Sequence, residues 1–137
     1  MSTRTTLSDP IAEASSVQLK VLLTDMDGVT ALLNLTTILT ALTLTHYERR
    51  TGKIINGCLA RDVLGAGGGT VYDTTQTDAA TNSYNVLIDL APADTPVLTG
   101  GSRETQIALL RWTWGTAPAR TGVHEVEFIV NNLAKNP

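Results

Sequence analysis

The sequence predicts an all-β domain, a β-sandwich of about seven strands with an extended N-terminal arm. Three observations carry that expectation. Charged residues make up only 17% of the chain and threonine is frequent, a composition that suits half-buried strands better than helices. Apolar and polar residues alternate with period two in one segment after another, and no segment keeps a convincing helical period. Between the segments fall clusters of Gly, Pro, Asn and Asp, the residues that supply turn geometry.

Residues 1–16 are polar, include Pro10 and show no clear apolar period. They read as an arm ahead of a single sandwich domain spanning residues 17–137. With so little patterned apolar surface the arm does not fold on its own. Its ordering is expected to depend on a partner, bound through Leu7, Pro10 and Ile11.

In the first strand Val17, Leu19, Val21 and Leu23 share one side, opposite Gln18, Lys20 and Thr24, and DMDG at 25–28 reads as a turn. Residues 38–47 alternate Leu42, Leu44 and His46 against Thr43, Thr45 and Tyr47; Arg50-Thr51-Gly52 then turns the chain into a shorter strand at 53–59. GAGGG at 65–69 is a loop, followed by a short strand at 70–74. Tyr84, Val86, Ile88 and Leu90 mark a strand with one wholly apolar face. Residues 105–114 place Ala108, Leu110, Trp112 and Trp114 on one face, with Ile107, Leu109, Arg111 and Thr113 on the other. The last strand, 123–130, points Val126, Phe128 and Val130 inward, with His124, Glu125 and Glu127 expected outside. Two-sided patterning favours two stacked sheets; a closed barrel satisfies the same alternation and stays open as the alternative.

A net charge of −3 and a pI near 5.2 leave no basic footprint for phosphate contacts, so no nucleic-acid partner is expected. The single cysteine, Cys58, forms no intramolecular disulfide and is expected in the core. The N-terminus lacks the apolar stretch of a secretory signal. Residues 29–45 are uncharged, yet this run is short for a membrane span and diluted by Asn34 and many threonines, so no membrane partner is expected either.

KVLLTDMDGVT at 20–30 resembles the first motif of the haloacid dehalogenase-like phosphatases. The resemblance implies Asp25 as nucleophile and Asp27 as general acid, with both helping to hold magnesium. That chemistry needs a parallel α/β sheet, a later basic residue and a late acidic pair, and no matching context follows, so the aspartates read as turn residues. GAGGGT lacks the following helix that a dinucleotide loop requires. His46 reads as a polar-tipped packing residue and His124 as a surface residue; neither forms a ligand-spaced cluster with Cys58. No catalytic, metal or cofactor-binding residue is therefore assigned. Trp112 and Trp114 lie two apart on one face and are expected in the core, because Ala108 and Leu110 share that face.

Taken together, VQLKVLLTDMDG, GGTVYDTTQTDAATNSYNVLIDLAP and QIALLRWTWGTAPARTGVHEVEFIVNNL give a pattern similar to the small β-sandwich virion proteins of tailed bacteriophages. These are the decoration or cement proteins of heads and the sandwich domains of tails and baseplates. The resemblance implies a non-enzymatic virion component without cofactor, assembled in the host cytoplasm and repeated as a homo-oligomer on a symmetric scaffold. Its partners would be the major capsid protein or other virion subunits. A capsid decoration protein is the first expectation, and a tail, neck or baseplate component the second. A carbohydrate- or receptor-binding module using Trp112, Trp114 or Tyr84 as stacking surfaces is the alternative of another class.

Overall fold

The computed structural model describes residues 2–7, 10–12, 16–25, 32, 34–65, 72–76, 84–90, 103–115 and 118–131. Strands follow in the order β1 (Ser2–Thr6), β2 (Ile11–Ala12), β3 (Val17–Val21), β4 (Leu39–Glu48), β5 (Arg61–Asp62), β6 (Asp73–Gln76), β7 (Val86–Leu90), β8 (Arg103–Trp114) and β9 (Arg120–Asn131). A four-residue helical turn, α1 (Leu35–Ile38), leads directly into β4. The expected all-β class is what the chain adopts, as two sheets. The larger, six-stranded, runs β1-β9-β8-β4-β5 with β2 also on β9; the smaller runs β3-β7-β6.

The frame of the larger sheet is the β8–β9 hairpin, twelve residues a side, in register from Arg103 opposite Asn131 to Trp114 opposite Arg120. Strand β4 pairs antiparallel with the other edge of β8, through an irregularity between Leu39 and Ala41. Alternation sends Leu42 and Leu44 of β4, Ala108, Leu110, Trp112 and Trp114 of β8, and Val126, Phe128 and Val130 of β9 to one face. There they meet Leu19 and Val21 of β3 and Val86, Ile88 and Leu90 of β7 in one continuous core. Burying a side chain of this kind contributes roughly 1.5–3 kcal/mol, and this shared layer holds the sheets together.

The expected strand at 53–59 is not regular. The segment follows the edge of β4 with hydrogen bonds such as Ile55 N–H to His46 O (2.9 Å) and His46 N–H to Cys58 O (2.9 Å). Left-handed backbone at Asn56 (φ 52°) and Gly57 (φ 67°) pushes the chain out between them. Regular pairing resumes only in the two residues of β5. Within the uncharged run 29–45, residues 35–45 are divided between α1 and β4, and no helix among the described residues is long and apolar enough to cross a membrane.

Where it is described, the expected arm forms edge strands. β1 and β2 lie parallel on β9, with Ser2 opposite Val123, Thr6 opposite Glu127 and Ile11 opposite Val130. The physical reason is that the β9 edge not used by β8 carries unpaired amides and carbonyls, and an extended polar segment satisfies them without any apolar period of its own.

Candidate assembly interface along the β9 edge

Three side chains of the N-terminal segment were expected to bind a partner. Ile11 is 8% exposed and belongs to the core, and Leu7 is half-buried against it. The Leu7 N–H donates to Glu127 O at 2.9 Å, while Pro10 is exposed. Leu7 and Ile11 are thus seated on the chain's own β9.

Between them and the N-terminus the attachment is polar. The Arg4 guanidinium bonds the Glu125 carboxylate through Nε (2.9 Å) and Nη2, and reaches Glu127 through Nη1 at 3.1 Å. The hydrogen bond to Glu125 raises the Arg4 pKa above its usual value. Glu127 is shared with Arg49 of the β4 end (3.1 Å). These charges lie on the outer face of the large sheet, where Tyr47, Ile107 and Glu127 stand side by side in register. Ile107 is only 2% exposed although it lies outside the main core. Burial, and then the charge of Glu125, push the Tyr47 hydroxyl above its usual pKa.

On the inner face of the same strands, Thr5 Oγ1 is 2.8 Å from His124 Nε2. His124 was expected at the surface and is instead 6% exposed. Its parity with Val126 and Phe128 decides its side, and the hydroxyl of the neighbouring strand satisfies its ring. Burial lowers its pKa below the usual value, against an opposing pull from Glu125.

The remaining candidate residues that are described lie in separate parts of the fold. Asp25 is half-buried and, with Thr24, Trp112, Trp114, Arg120 and Thr121, lines a cavity of about 240 Å³; Asp27 lies outside the described residues. Strand β3, which precedes the DMDG segment, pairs antiparallel with β7, so the strand before the motif lies in an antiparallel sheet and not in the parallel α/β scaffold of the phosphatases. Trp112 and Trp114 are 1% and 7% exposed and stack with ring centres 6.5 Å apart, so they offer core rather than an open platform for a sugar. Cys58 is fully buried, its thiol donating to Leu44 O (3.3 Å). No group of three or more His, Cys, Asp or Glu among the described residues is placed to hold a metal ion.

Sequence reading missed two buried polar clusters. His46 is wholly buried, with Nδ1 2.6 Å from the Tyr72 hydroxyl and Nε2 2.8 Å from Gln106 Oε1; the Gln106 amide in turn donates to Glu104 at 2.6 Å. This chain of polar groups runs from Tyr72, just ahead of β6, through His46 of β4 to β8, and Tyr72 enters it in a left-handed conformation (φ 56°). The second cluster centres on Asn85. Its carbonyl accepts from Leu23 N–H (2.7 Å), and its amide donates to the carbonyls of Leu23 (3.0 Å) and Leu32 (3.1 Å), closing the two ends of the DMDG segment onto β7.

No protein-family model matches the chain, and no curated protein or solved structure is significantly similar to it.

Proposed function

We propose that the chain is a non-enzymatic structural subunit of a tailed-bacteriophage virion, a decoration protein that binds and stabilises the capsid shell and is assembled in the host cytoplasm. One feature carries the reading furthest: the N-terminal segment is added to the sheet edge of β9, and its Arg4 is anchored on Glu125 and Glu127 of that strand. Main-chain pairing at an edge fixes orientation while leaving sequence free, which suits a subunit repeated many times on a lattice. Each contact can be modest, because many sites act together. The major capsid protein and other copies of the chain are the partners of this reading. A tail, neck or baseplate position is the alternative placement.

The test is compositional. Particles purified through a density gradient and analysed by quantitative mass spectrometry are expected to carry the chain at a fixed ratio to the shell protein. Recovery of the chain only in the unassembled fraction would contradict the reading.

A further inference from the structure

The β9 edge is completed by a segment that, among the described residues, pairs with no other strand of the large sheet. β1 pairs with β9 alone, and so does β2. Beyond Ala12 the chain passes through Glu13-Ala14-Ser15-Ser16 to β3, whose pairing partner is β7 in the other sheet. Among the described residues, lifting this N-terminal segment away therefore breaks no other strand pairing and leaves the β8–β9 and β3–β7 ladders intact.

We propose that the β9 edge is an exchange site, at which the Ser2–Ala12 segment of a second copy of this chain replaces the chain's own. The inference deepens the assembly reading and rests on it, and it names the partner for this edge. The occupant follows from complementarity. Emptied, the edge would offer Glu125 and Glu127 outward, His124 inward, and a row of main-chain groups from Val123 to Asn131. An ideal occupant is a parallel strand with a cation between two polar residues, then apolar side chains further along. Thr3-Arg4-Thr5, Leu7 and Ile11 of another copy meet that description, because the segment already fits there.

Exchanged and unexchanged forms make the same contacts along β9, so concentration and the connecting residues decide between them. A bare edge also templates unwanted pairing, so a segment that always covers one edge or another keeps every copy protected.

Thr6 and Glu127 are opposite one another in register, which gives the experiment its reporter. Two single variants, Thr6→Cys and Glu127→Cys, are unfolded together in urea, refolded as a mixture and oxidised; Cys58 is fully buried and stays out of the reaction. Exchange is expected to give a mixed disulfide dimer whose yield rises with protein concentration. Adding Arg4→Glu to the Thr6→Cys chain is expected to cut that yield roughly tenfold. The double variant carrying both cysteines on one chain, oxidised at high dilution, is expected to cross-link internally and so report the register. Internal cross-linking without mixed dimer at any concentration overturns the exchange site, and failure of the double variant to cross-link overturns it too. Either result leaves the particle-composition test standing, so the two readings fail separately.

Discussion

Gly122 faces Trp112 across the β8–β9 ladder, and a methyl group there has nowhere to go. A Cβ built on Gly122 would lie 2.3 Å from Cζ2 and 2.4 Å from Cε2 of the Trp112 indole. Carbon atoms in contact prefer about 3.5–4.0 Å, so the ring must retreat by more than about 1 Å. It is 1% exposed and stacked on Trp114, so the retreat disturbs the core around it. Overpacking of this kind costs about 1–3 kcal/mol, partly offset by the roughly 0.5–1 kcal/mol by which alanine outdoes glycine inside a strand. Gly122→Ala is therefore expected to destabilise by about 1–2 kcal/mol, a drop in Tm on the order of 4–8 °C for a chain of this size. In a Trp112→Leu background the obstruction is gone, and the same substitution is expected to be neutral or mildly stabilising. Urea denaturation of the four chains of this double-mutant cycle measures the coupling. An equal cost of Gly122→Ala in both backgrounds would refute the reasoning.

Asn85→Ala leaves the Leu23 N–H and the Leu23 and Leu32 carbonyls without their amide partner in a buried setting, and is expected to cost about 2–4 kcal/mol; an unchanged urea midpoint would show that the segment is held elsewhere. Removing residues 1–12 takes Ile11 out of the core and bares the β9 edge, so a loss of about 1.5–3 kcal/mol is expected by calorimetry, with the β8–β9 hairpin still folded. Acid is expected to destabilise the protein in two stages. His124 has a lowered folded pKa, so the unfolded chain takes up its proton first, and stability falls as pH drops from about 6.5 through that lowered value. Glu48 pays desolvation, but amide hydrogen bonds from Arg50 and Thr51 outweigh it and lower its pKa, so its stabilisation is present above about pH 4.3 and is lost as pH falls through the folded value. Melting curves from pH 8 to 3 for the native chain and His124→Gln separate the stages, and a first stage that survives the substitution would assign it to another group.

Legibility followed local pattern. The strands at 105–114 and 123–130 were readable because each carries an apolar side chain at every second position over many residues, even though Ile107, Leu109, Val123 and Ile129 blur the opposite face; β8 and β9 extend them by a few residues at their ends. His124 carried a readable signal in its parity with Val126 and Phe128, but its polar character was given more weight than its position. The irregular stretch at 53–59 was misread because Ile54 and Ile55 suggest a strand, whereas Asn56-Gly57 is the pair most at ease in left-handed backbone. β1 was unreadable for a different reason. Ser2–Thr6 is polar throughout, and its place is set by Glu125 and Glu127 more than a hundred residues away. Tyr72, His46, Gln106 and Glu104 likewise meet only after the sheets have packed, although Glu104 and Gln106 share the parity of Ala108 and so marked a polar end to that buried face.

The most direct measurement of the central claim is a cryo-electron microscopy reconstruction of particles purified from cells that make the chain. The expected map shows the two-sheet domain at symmetry-related positions on the shell, with β9 of every copy carrying a strand that bears the Ser2–Ala12 side chains. Particles whose surface and tail hold no density for this domain, while the chain remains in the cell lysate, would contradict the account.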